Sequence, residues 1–75
     1  MMNSETTKPT QPSPLTRQEH NLLVQLAEGS TRTHVAKAWD ISVSRVNLLM
    51  REVEKKLGAR TTEHAVAIAI RSGWL

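Results

Sequence analysis

The side chains with recognisable chemistry gather in one short run, "VSRVNLLMREVEK" at 43–55. Wound as a helix with Val46, Met50, Val53 and Leu57 turned inward, the run leaves Val43, Ser44, Asn47, Leu48, Arg51 and Lys55 on its outer side. These residue types suit the edge of a base pair. An Asn amide matches the donor and acceptor of adenine, an Arg fork matches the two acceptors of guanine, and an aliphatic side chain meets the thymine methyl. The expected roles are therefore adenine for Asn47, guanine or a phosphate for Arg51, and a thymine methyl for Leu48. The plainer alternative is that Asn47 and Arg51 are merely solvated and Leu48 covers a neighbour, since a basic amphipathic helix alone is weakly specific.

Other chemistry finds no support. His20, His34 and His64 fall on three different expected helices, with no cysteine in the chain and no carboxylate at ligand spacing, so no metal site is expected. No glycine-rich phosphate loop occurs, and 75 residues cannot form two lobes with a cleft in which Ser, His and Asp would assemble. We expect neither an enzyme nor a cofactor.

What positions the run is the segment before it. "TRTHVAKAWD" reads as a short helix capped by Thr31, with Val35, Ala36 and Trp39 on its buried side and Asp40 at its end. Ser42 then caps the next helix, which Gly58 closes, leaving a connection of about three residues, "DIS". So short a turn between two helices forces a steep crossing, the helix-turn-helix geometry, in which the second helix presents its early residues to the major groove. A helix on each side completes the domain. "LTRQEHNLLVQLAEG" opens with Thr16 and Glu19 at capping-box spacing, carries Leu22, Leu23, Leu26 and Ala27 as an apolar stripe, and ends at Gly29. A last helix follows Thr61 or Thr62 and runs to Gly73. The expectation is all-α, four helices, with no strand and no repeat.

Charge distribution agrees with a polyanion partner. The net charge is +3, but residues 30–60 hold seven basic side chains against three acidic ones, so the segment is at +4 and the remainder at −1. A solvated basic face is the alternative. Residues 1–14 hold three prolines among Ser, Thr, Gln and Asn, and are expected to form a flexible tail ahead of a DNA-binding domain at 15–75. No apolar run has membrane-spanning length and the first residues lack a signal-peptide core, so a cytoplasmic protein is expected.

Together "LTRQEHNLLVQLAEG", "VAKAWDIS", "RVNLLMREVEKKLGAR" and "TTEHAVAIA" resemble the LuxR-type helix-turn-helix DNA-binding domain of bacterial regulators, from Leu15 to about Gly73. Leu15, Thr16, Glu19, Leu23, Ala27, Gly29, Ala36, Ile41, Ser42, Val46, Lys56, Leu57 and Ala65 coincide with the family pattern. The departures are as informative. Where the family's recognition helix usually opens with Thr-Val-Lys, this chain has Arg45, Val46 and Asn47, and a usual His is Leu49. A family Arg early in the fourth helix is Thr62, and the usual Asn-Lys pair opening the second helix is Arg32 and Thr33.

The resemblance implies a stand-alone transcription regulator, without a receiver or sensor domain, that binds a short palindromic operator in double-stranded DNA as a homodimer. Val43, Ser44, Arg45, Asn47, Leu48 and Arg51 would face the bases, with Thr31, Arg32, Lys55 and Arg60 on phosphates. The family pairs its last helix across a two-fold axis. This implies an interface through His64, Ala67, Ile68 and Arg71, the alternative being close packing of small alanines with Ile68 as a scattered exposed residue. Trp39 is expected to pack; Trp74 is undecided between folding back and joining the interface. The rival function is an anti-activator module that heterodimerises with a longer LuxR-type regulator. A third reading is nucleic-acid binding without sequence preference.

Overall fold

A computed structural model describes residues 12–75. Each helix starts where a hydroxyl side chain supplies an acceptor for the otherwise unpaired N–H groups of the first turn. Thr16 opens α1 (Arg17–Ala27), Thr31 α2 (Arg32–Trp39), Ser42 α3 (Val43–Leu57) and Thr61 α4 (Thr62–Arg71). Their oxygens accept from the backbone N–H of Glu19, His34, Arg45 and His64 at 3.0–3.1 Å. At Thr16 the bond is reciprocated, since the Thr16 N–H donates to Glu19 Oε1 at 2.9 Å. That is the expected capping box, and Thr61 rather than Thr62 is the last cap.

The four helix ends are also alike. After each, one residue turns left-handed and two backbone N–H groups fold back on the last turn, as in Gly58 N–H to Lys55 C=O and Ala59 N–H to Glu54 C=O. Three of these left-handed residues are glycines, and the fourth is Asp40 at φ 58°. Asp tolerates this region better than most residues with a Cβ, so the sharp turn between α2 and α3 is made without glycine.

These connections wrap α1, α2 and α4 around α3, which packs against all three. The central position explains why its buried stripe is broad: Leu49 is buried in addition to the expected Val46, Met50 and Val53. Leu22 and Leu23 of α1, Val35 and Ala36 of α2, and Ala65 and Ala69 of α4 close the core, with Trp39, Ile41, Leu57, Val66 and Trp74 packed at its margin. One expectation fails. Ala27 is exposed, because it sits about 90° from the middle of the buried face of α1 and in the last turn. There it borders a shallow depression with Val24, Glu28, Ile70 and Leu75.

Among the described residues one ion pair, with a buried carboxylate and an exposed ammonium, ties α1 to the central helix. Lys56 Nζ of α3 donates to Glu19 Oε1 of α1 at 2.7 Å. Burial alone pushes the Glu19 carboxyl up, but the bonds from Lys56 and from the Thr16 backbone and hydroxyl, with the Lys56 charge, hold it below its ordinary 4.5. Among the described residues no buried side-chain nitrogen or oxygen lacks a partner, and no helix is long and apolar enough to cross a membrane. The expected tail, residues 1–14, lies outside the described residues except for 12–14, which are exposed and without regular structure.

Candidate nucleic-acid interface

α2 and α3 form the helix-turn-helix pair, joined through Asp40, Ile41 and Ser42. Ile41 reaches down to the core and its N–H bonds back to the Ala36 carbonyl at 3.0 Å, so the turn is fastened to both the helix before it and the apolar centre. α3 is thereby fixed with one side in the core and the other in solvent.

On the solvent side, successive positions at 100° per residue align Ser44, Leu48, Arg51 and Lys55 into one stripe along the axis. All four are exposed, Leu48 at 48 % although it is a large aliphatic residue. Val43, at the first turn, is exposed too. Arg45 lies to one flank, beside a groove it lines with Thr16, Gln18, Glu19, Leu48, Leu49 and Glu52 between α3 and α1. Asn47 lies to the other flank and is half-buried.

The charges of the stripe itself are all positive, while Glu52 lines the groove on its Arg45 flank. Among the described residues, Arg45, Arg51, Lys55 and Arg60 have no carboxylate within 4.0 Å. Arg51 and Lys55 stand at i and i+4, where like charges repel and cost an isolated helix a few tenths of a kcal/mol. An external anion would offset that repulsion. Aliphatic Leu48 between cationic neighbours is the mixture that base-edge and phosphate contacts require.

The flank at Asn47 holds a link that spacing along the chain did not reveal. Arg32, half-buried at the start of α2, donates from Nη1 to Asn47 Oδ1 at 2.7 Å and from Nη2 to Thr62 Oγ1 at 2.8 Å. One guanidinium thus joins α2, α3 and α4. Arg32 and Asn47, assigned separately to a phosphate and a base, are brought together as partners. Thr62, at a departure from the family pattern, completes the set. The only sequence signal was that positions 32, 47 and 62 all depart from that pattern.

The remaining expected positions are peripheral to the stripe. Thr31 is exposed and its hydroxyl caps α2, while Arg60 is exposed and its N–H donates to His64 Nδ1 at 3.3 Å. On α4, His64 and Arg71 are exposed and Ala67 and Ile68 half-buried, on a stripe away from buried Ala65 and Ala69. Ile70, not singled out beforehand, is the most exposed large aliphatic residue of the described chain at 58 %. No group of three or more His, Asp or Glu among the described residues could hold a metal ion.

Comparison with known proteins bears on this geometry directly. Residues 13–69 match the family model described as bacterial regulatory proteins, luxR family. No match was found among curated proteins. Among solved structures, the Vibrio cholerae VqmA–ligand–DNA complex superposes with a TM-score of 0.76 at 25% identity, over 89% of this chain and 29% of that one. VqmA bound to DPO gives 0.74 at 26% identity, over 85% and 32%. A Vibrio cholerae VqmA dimer in the absence of target DNA gives 0.77 at 22% identity, over 97% and 31%, a likeness of fold alone. The chain therefore spans less than a third of these proteins. With four helices in the expected order and a family match over most of its length, the chain belongs to the luxR family of bacterial regulatory proteins and is a LuxR-type helix-turn-helix domain.

Proposed function

We propose that this chain binds double-stranded DNA in a sequence-specific way and regulates transcription, acting as a homodimer on a short palindromic operator. The observation that carries the reading is the exposed stripe of α3, Ser44, Leu48, Arg51 and Lys55, on the second helix of a helix-turn-helix pair and, among the described residues, with no carboxylate within 4.0 Å of its cations. Family membership and likeness to a VqmA–DNA complex support it.

In this reading the first two turns of α3 enter the major groove. Arg51 takes guanine or a phosphate, Leu48 meets a thymine methyl, and Val43, Ser44 and Arg45 line the entry. Lys55, Arg60 and Thr31 hold phosphates and set the register without choosing the sequence. Pairing of α4 through His64, Ala67, Ile68 and Arg71 brings two copies of α3 to half-sites about one helical turn apart, which is why the operator is two-fold.

Selection of bound duplexes from a random pool, at near-physiological salt, tests this reading. Enrichment of a palindrome is expected. Recovery of duplexes without a shared sequence, with affinity falling steeply in salt, would reduce the function to nonspecific binding. No retention of DNA by folded protein would turn the search to a longer family member as partner.

A further inference from the structure

A guanidinium can only donate hydrogen bonds, so the Asn47 atom facing Arg32 Nη1 at 2.7 Å is the amide oxygen. The two ends of a planar amide diverge, and the NH2 group is consequently turned away from Arg32. The second donation, to Thr62 Oγ1 at 2.8 Å, fixes the plane of the guanidinium from a third helix. Among the described residues no carboxylate lies within 4.0 Å of Arg32, so its charge falls on this amide and the Thr62 hydroxyl; such charge-assisted bonds are about twice as strong as neutral ones. The arrangement sits beside the outward stripe, with Asn47 half-buried at its border.

We propose that Arg32 sets how Asn47 reads a base: by holding the amide oxygen it fixes which end of the amide turns away from the guanidinium, and the base preference at the position Asn47 meets depends on Arg32. The inference rests on α3 being the groove helix. A free Asn prefers adenine because it offers oxygen and NH2 side by side to the N6 donor and N7 acceptor. Held by Arg32 through one lone pair of its oxygen, the amide keeps one of its two flipped orientations, with the second lone pair still open and the NH2 end turned away from the guanidinium. Arg32 is then a positioning residue that acts through Asn47 and touches no base. A phosphate-contacting Arg32 would behave otherwise, weakening binding to all sequences alike.

The test compares duplexes selected by the wild-type chain, Asn47→Ala and Arg32→Ala at one salt concentration, with each variant first shown to be folded by circular dichroism. Asn47→Ala identifies the position it reads, as the one where preference disappears. The wild type is expected to favour one base pair there by about fivefold or more. Arg32→Ala is expected to relax or change the preference at that one position of each half-site and leave the others unchanged. An Arg32→Ala variant that keeps the wild-type preference there, including one that binds every duplex more weakly with the same preferences, overturns the proposal while leaving DNA recognition by α3 intact. A folded wild type that enriches no sequence overturns both. Should Arg32→Ala not fold, Asn47→Asp keeps the acceptor for Arg32 and removes the donor. It should lose the wild-type preference at that position alone, and retention would overturn the proposal.

Discussion

Two polar joints cross between helices in this small domain, and they are built on opposite principles. At the first, Lys56 of α3 meets Glu19 of α1, so a buried carboxylate is matched by a cation and sealed by the Thr16 cap. At the second, Arg32 of α2 meets only the neutral amide of Asn47 and the hydroxyl of Thr62. The first joint cancels charge and the second retains it. The second also lies toward the early turns of α3, the end that meets base edges in a helix-turn-helix pair. In the proposed function the compensated joint holds the fold, and the cation left without a carboxylate among the described residues adds to the charge that Arg51 and Lys55 offer a polyanion.

The comparison breaks most visibly at the first joint. Glu19→Ala removes the reciprocal cap and the partner of Lys56, which is left to solvent, and should cost about 1–2 kcal/mol in a denaturant titration. Acid should act on the same group. Because the folded carboxyl titrates below the unfolded value near 4.5, its contribution is complete above that value and is lost as pH falls through the folded one. Stability measured from pH 7 to 2 should therefore decline in this window, and Glu19→Gln should flatten the decline.

At the DNA face the expected effects are on binding and not on stability. Arg51→Ala should weaken the preferred duplex by about 1–3 kcal/mol and relax discrimination at one base position, with the melting temperature nearly unchanged. Lys55→Ala should weaken all duplexes similarly and reduce the slope of log affinity against log salt by about one. These two variants separate base reading from phosphate contact along one stripe. The smallest effect belongs to the turn. Asp40→Gly relieves a left-handed Cβ at φ 58° and should add about 0.5 kcal/mol, or roughly 2–4 °C in melting temperature.

How much was legible from residue order follows from the distances involved. Caps at Thr16, Thr31 and Ser42 and the closing glycines act within a few positions, so all four helices and the short turn at Asp40 could be read directly. The outward stripe followed from the 3.6-residue period. Ala27 was misread because the stripe of α1 continues beyond what its neighbours cover. The joints were illegible, since their partners stand 15, 30 and 37 residues apart and meet only after the helices pack. Asn47 shows the consequence. Its type suggested a two-point contact with adenine, but nothing in its own segment showed that a residue of another helix bonds its oxygen and fixes its orientation.

The central claim is that the outward stripe of α3 is the face that meets DNA. The most direct measurement is an NMR titration of the isotope-labelled chain with a selected duplex, following backbone amides and side-chain NH groups. The largest perturbations are predicted at Ser44, Asn47, Leu48, Arg51 and Lys55, with smaller ones at Thr31 and Arg60 and none in the Glu19 region of α1. Perturbations centred on α4 or on the Val24–Ile70 depression, with the α3 stripe unmoved, would contradict the account.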